Sequence, residues 1–329
     1  MSLTSQLSKV DSPVSIWIEA HTDRKAISKI VKETNDYLCH YPPLVVAGTH
    51  HLSTIGTAFD YAFRWLIGSL SPDVARIGTE LAEESYGWID ATKLIDMILE
   101  DGNRASQISE TRARCTVVLA WFEQVFRMKD LHSVLKDLKD KTGSRETLEI
   151  LYSLVPLSAI EDVYQLLESA SKVWANDLNG SFVLNPTFSG SIIVGGADAD
   201  WIANDTIYEC KCSRVIRPFG RQHLLQLVGY VLLNYDDKIT QRELPLKNKL
   251  VKWNVNAVGW YYARHQIKFI YQLDQFLLTL FGTANFVDLQ RDFVQSIIAA
   301  NTEAERRRNQ LQLPNKQLTL TSGKSELFL

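Results

Sequence analysis

The chain has 329 residues, 46% hydrophobic and 22% charged, with a formal net charge of −3, which excludes the disordered and fibrous classes and leaves enough chain for a sizeable core. The slightly acidic balance, with a pI near 6.2, excludes a molecule that holds nucleic acid by its overall charge, so any such contact has to come from a local basic patch. No apolar run approaches the roughly 20 residues of a membrane span, and the opening MSLTSQLSKVDSPVS lacks the apolar centre of a signal peptide, so a cytoplasmic protein with no membrane partner is expected.

AISKIVKETNDYL carries apolar residues at spacings of three and four, which predicts an amphipathic helix. PPLVVAGTHHLSTIG reads as a loop ending at Gly56, and TAFDYAFRWLIGSL as the helix that starts just after it. Between about 71 and 171 the pattern is almost wholly helical, in segments such as RARCTVVLAWFEQVFRM and LSAIEDVYQLLESASKVW that do not repeat one another. This stretch reads as a helical insertion or subdomain, able to serve as a specificity module, an oligomerisation surface or a dock for a protein partner.

After Asn176 the texture turns to glycine, asparagine and β-branched residues. SIIV, DADWI and TIYECKC are short strand candidates, and Asn204-Asp205 is a tight turn joining the last two into a hairpin. RQHLLQLVGYVLLNY is helical, AVGWYYARHQ is another strand candidate, and FVDLQRDFVQSIIAANTEAERRRNQLQ is a long amphipathic helix before a polar tail. The predicted class is therefore α/β (α+β). Residues 1–70 contribute helices to the core, 71–171 form the helical insertion, 172–313 form the core proper, and 314–329 the tail. The four cysteines, Cys39, Cys115, Cys210 and Cys212, include no CxxC pair and read as reduced thiols.

Side chains alternate along a strand, so Glu209 and Lys211 project to one face and Tyr208, Cys210 and Cys212 to the other. The hairpin folds Asp200 back across from the first pair. Two carboxylates and an ammonium converging beside a turn need an organising partner. A hard divalent cation, magnesium or manganese, is the natural one, and it can activate water toward a phosphate.

With GGADADWI supplying G-x-x-D, ECK supplying E-x-K, and QLVGY (Gln226 to Tyr230) supplying Q-x-x-x-Y, in order on strand, strand and helix, the chain resembles the PD-(D/E)xK nuclease superfamily, and within it the RecB-like and lambda-exonuclease-like branch. The resemblance implies a restriction-endonuclease-like core, magnesium-dependent hydrolysis of DNA, and catalytic roles for Asp200, Glu209, Lys211, Gln226 and Tyr230. Asp198 also satisfies the glycine spacing. Asp200 is preferred as the metal ligand because of its short hairpin distance to Glu209, with Asp198 as an accessory ligand or hydrogen-bond acceptor.

The branch carries an upstream G-x-x-x-H element. Here GTAFD puts Asp60 in the histidine's place, as a metal ligand or as the partner of Arg64 one turn later. Other branches take an acid from a preceding helix, for which Glu161 and Glu168 are the candidates, while His50 and His51 are ligand candidates in the loop. Arg214, Arg217 and Arg221, between the E-x-K strand and the next helix, form the local basic stretch expected to hold DNA phosphates. No cysteine follows Cys212, so no iron–sulfur cluster is expected. The alternative function is a catalytically inactive nucleic-acid-binding or scaffold protein of the same fold.

Overall fold

The computed structural model describes residues 2–45, 52–68, 70–136, 138, 142–178, 180–235, 252–283 and 285–312. His50, His51 and the polar tail lie outside the described residues.

Three helices open the chain: α1 (Leu3–Leu7), α2 (Pro13–His21) and α3 (Arg24–His40). Their starts follow from local chemistry. Ser12 precedes Pro13 and accepts the Ser15 N–H, while the Asp23 carboxylate accepts the Lys25 N–H. A second run of helices follows: α4 (Leu52–Ile67), α5 (Asp73–Tyr86), α6 (Thr92–Arg104), α7 (Glu110–Met128), α8 (Ser133–Lys136), α9 (Arg145–Leu154) and α10 (Leu157–Val173). Helix α4 begins before Gly56, which is thus inside the helix and not its boundary. No single helix among the described residues is long and apolar enough to cross a membrane.

Strands β1 (Phe182–Leu184), β2 (Trp201–Ala203) and β3 (Thr206–Lys211) lead to α11 (Arg221–Leu233), then β4 (Ala257–Tyr262), β5 (Ile267–Gln272), α12 (Leu273–Phe281) and α13 (Phe286–Gln312). The sheet runs in chain order, antiparallel throughout except for the parallel β3–β4 pair, which α11 bridges. Such a parallel neighbour requires a crossover connection. The fold is mixed α/β, as expected.

The β2–β3 hairpin forms with Trp201 opposite Tyr208 and Asn204-Asp205 at the turn, both with positive φ (47° and 62°), the geometry that suits a right-twisted hairpin. SIIV, expected as a strand, is instead a 3₁₀ turn over Ser191–Val194. The Ser191 hydroxyl accepts the Phe188 N–H and donates to the Ala197 carbonyl, and Gly195 and Gly196 take positive φ, so the backbone closes on itself instead of pairing with the sheet. Strands β1 and β5 were not among the expected ones.

Alternation along the strands divides the interior in two. Trp201, Tyr208 and Tyr261 pack with α4 to α10 on one face, while Ile202, Ile207, Val258, Trp260 and Tyr262 pack with α1 to α3 and α11 to α13 on the other. Gly259 stands opposite Tyr208 in register, where a Cβ would come within 2.7 Å of the tyrosine ring. The helical segment expected over 71–171 shares its layer with α4.

A fully buried ion pair ties that layer to the sheet. Asp162 on α10 holds Arg264, just after β4, through two hydrogen bonds of 2.6 and 2.9 Å, and the Arg264 Nε donates to the Cys212 carbonyl at 3.0 Å. The pair therefore fixes the end of β3, one residue from Lys211.

Candidate active site

The end of β3 carries a carboxylate held by three side chains. Glu209, only 5% exposed, accepts the Lys211 ammonium (2.6 Å) and the Gln226 amide (2.9 Å) on Oε1, and the Tyr230 hydroxyl (3.1 Å) on Oε2. Gln226 also donates to the Tyr230 oxygen at 2.6 Å. One turn of α11 separates these two, so helical periodicity aims both at the same carboxylate. Tyr230 is held in turn by stacking on Phe188, ring centres 5.1 Å apart.

The hairpin brings Asp200 alongside, its Oδ2 accepting the Cys210 N–H at 2.5 Å. Of the two aspartates weighed, Asp200 faces the Glu209–Lys211 pair. Asp198 is exposed, bonded to the Thr187 hydroxyl at 2.6 Å, and lines the cleft farther out.

The cleft consists of two adjoining hollows. One, of about 290 Å³, is lined by Asp60, Glu123, Arg127, Asp200, Glu209 and Lys211 among others. The second, of about 660 Å³, shares Asp60, Glu123, Arg127 and Asp200 and extends toward Asn185, Thr187, Asp198 and the Gly195-Gly196 turn. Asp60 is thus brought to the site from α4 while also gripped by Arg64 through both carboxylate oxygens, the Nε contact being 3.1 Å. The pairing with Arg64 is therefore present, and Asp60 also lines the cleft.

Glu123 and Arg127 on α7 were not among the expected residues. Glu123 is 5% exposed, takes the Tyr61 hydroxyl on Oε2 (2.6 Å) and holds Arg127 by Oε1 (Nε at 2.7 Å). The available signal was a solitary acid in CTVVLAWFEQVF: a charge on a helix that is apolar all round must find partners or solvent.

Other expectations are corrected. Glu161 is exposed and Glu168 pairs with Lys172 at 3.0 Å; neither lines the cleft. The three arginines of the β3–α11 loop do not line it either. Arg217 donates to the Cys39 sulfur at 3.1 Å and faces Asp36, Arg221 pairs with Glu19, and Arg214 is exposed. Asn35 clamps Phe219 by bonds of 2.7 and 3.0 Å, which turns this loop toward α2 and α3.

Burial shapes the charges. Burial first, then Glu209, raises Asp200 to about 7, while burial first, opposed by Arg64 and reinforced by Asp200, raises Asp60 to about 7. Burial alone would lower Lys211, yet Glu209 and Asp200 together outweigh it and hold the ammonium above its ordinary value. Lys211 is therefore held in its cationic form by its two acidic neighbours. Burial also lowers His223 to about 4, with Lys211 adding to the effect.

Four carboxylates, from Asp60, Glu123, Asp200 and Glu209, thus face one cleft, a hard-oxygen donor set. Among the described residues no group of three or more His, Cys, Asp or Glu side chains is arranged to hold a metal ion. Instead Lys211 occupies Glu209, Arg64 occupies Asp60 and Arg127 occupies Glu123. Comparisons with protein-family models, curated proteins and solved structures found no match.

Proposed function

We propose that this chain is a magnesium- or manganese-dependent nuclease that hydrolyses DNA phosphodiesters, with a core of the restriction-endonuclease-like kind. The observation that carries the reading is that Asp200, Glu209 and Lys211 line one cleft while Lys211, Gln226 and Tyr230 converge on the Glu209 carboxylate. Raised carboxyl pKa values at Asp60 and Asp200 fit a divalent cation, whose charge offsets the desolvation and the carboxylate repulsion that raise them. Asp200 and Glu209 would hold it, with Asp60 facing them. When bound, such a cation supplies Lewis acidity toward a phosphate oxygen and acidifies water.

The remaining work falls to the chain. Gln226 and Tyr230 orient the Glu209 carboxylate, and the Cys210 N–H orients that of Asp200, so neither acid has to be ordered when substrate arrives. Lys211 keeps its proton on Nζ and presents a positive charge where negative charge develops on the phosphoryl oxygens.

Incubating the purified protein with plasmid and linear DNA, in magnesium, in manganese and in EDTA, tests the reading. Metal-dependent cleavage that Lys211→Ala abolishes supports it; no cleavage in any metal, with Lys211→Ala indistinguishable, sinks it. One observation favours a second reading, a non-catalytic nucleic-acid-binding protein of the same fold: the chain's own cations occupy Glu209 and Asp60. DNA binding without cleavage in any metal would select it.

A further inference from the structure

We propose that Arg127 is the phosphate anchor of the cleft, held ready by Glu123, and that it binds a backbone phosphate next to the one attacked; this rests on the nuclease reading above. An acidic cleft repels a polyanion unless a cation stands free to meet it. Among the described residues three cations line the two hollows: Lys211, Arg64 and Arg127. The Lys211 side chain is 23% exposed and bound to Glu209, and that of Arg64 is 10% exposed and spread over both oxygens of Asp60. Arg127 is 64% exposed and lies on both hollows, where a strand passing from one to the other has to run.

Its bonding leaves a donor edge available. Arg127 gives Nε (2.7 Å) and one Nη2 contact (2.6 Å) to the same Glu123 oxygen, while Nη1 donates to no acceptor among the described residues. A guanidinium presents its donors in a rigid fork, so fixing one edge on a carboxylate aims the other. Glu123 is itself fixed, its second oxygen taking the Tyr61 hydroxyl at 2.6 Å. Tyr61, Glu123 and Arg127 thus form a braced arm from α4 through α7 to the cleft, and phosphate binding requires no rearrangement of it. Glu123 is a positioning residue in this scheme. The arginines of the β3–α11 loop, tied to Asp36, Cys39 and Glu19 or standing outside the cleft, do not compete for the role.

The test is cleavage of a fluorescein-labelled oligonucleotide, single-stranded and duplex, in magnesium at salt from about 50 to about 200 mM. Arg127→Ala is expected to raise KM about tenfold with kcat within about twofold, and to lower the slope of log KM against log salt by about one. Arg127→Lys should restore the slope but only part of the affinity, Glu123→Gln should raise KM less than Arg127→Ala, and the remote Arg291→Ala serves as the matched loss of one exposed arginine. Wild-type KM and salt slope in Arg127→Ala, or a fall in kcat with both unchanged, overturns the anchor while leaving the nuclease reading intact. Failure of the wild-type protein to cut either substrate overturns the reading beneath it, and the anchor with it.

Discussion

Asp60 and Asp200 offer a measurement that joins stability to the proposed chemistry. Each carboxyl is raised to about 7 in the folded chain from an ordinary value of 3.8, burial being the largest cause for both. A raised carboxyl pKa means that the folded state binds more protons than the unfolded one between those values, so stability falls as pH rises through that window. For one such group the loss between about pH 5 and about pH 8 comes to about 2 to 3 kcal/mol. The two repel each other and share the effect, so it is not counted twice. His223 pulls the other way: lowered to about 4 in the fold, it takes stability away as pH falls below its unfolded value of 6.5. The whole-protein curve mixes both signs. The difference between wild type and Asp60→Asn removes His223 from the comparison, since it titrates in both. Thermal melts without divalent cations should show the variant gaining on wild type by about 2 kcal/mol from pH 5 to pH 8, roughly 3 °C in a chain this long. Manganese should raise the wild-type Tm at pH 8 and much less at pH 5, where protons occupy its ligands. A difference between the two proteins that stays flat with pH, or grows in favour of wild type, would refute the reasoning.

Glu209→Gln and Lys211→Ala should each lower the cleavage rate by about 10²- to 10³-fold with the fold intact by circular dichroism, since each removes charge placed for the reaction. Tyr230→Phe and Gln226→Ala should act about 10- to 100-fold, chiefly by raising the magnesium concentration for half-maximal activity, because they orient Glu209. Asp162→Ala leaves the Arg264 guanidinium buried with only the Cys212 and Val45 carbonyls, and should cost about 3–5 kcal/mol in urea unfolding. A Cβ on Gly78 would lie 1.9 Å from the Phe122 carbonyl oxygen, so Gly78→Ala should force α5 off α7, cost about 3 kcal/mol, and raise KM by displacing the neighbouring Glu123.

What was legible in the sequence is what local spacing encodes. Asn204-Asp205 between alternating residues specified the hairpin, alternation put Glu209 and Lys211 on one side of β3, and a helical spacing of four put Gln226 and Tyr230 over Glu209. Those relations need only neighbours in sequence or one crossover. The residues missed or misplaced depend on partners far away. Arg217 and Arg221 read as a free basic stretch because Asp36 and Glu19, which hold them, lie 181 and 202 positions earlier. Glu161 and Glu168 are candidates by their position on a helix before the first strand, whereas the acid that turns inward is Asp162, one residue from Glu161, and its partner Arg264 lies 102 positions on. β1 has three residues, too few for a periodic signal.

Glu123 shows how far the helical layer belongs to the site. α7 is packed by α4, α5, α6, α9 and α10, and its Glu123 carboxylate opens onto the cleft beside Asp200. The same wrapping fixes where Arg127 stands, one turn farther along α7 at the cleft's edge. The layer is held to the sheet by Asp162 and Arg264, and Arg264 also holds the Cys212 carbonyl at the end of the strand that carries Glu209 and Lys211. The two walls of the cleft therefore share one buried ion pair as their common brace. A substitution there should disturb Arg127 and Lys211 together, whereas one on the exposed face of α10, such as Glu168→Ala, should disturb neither.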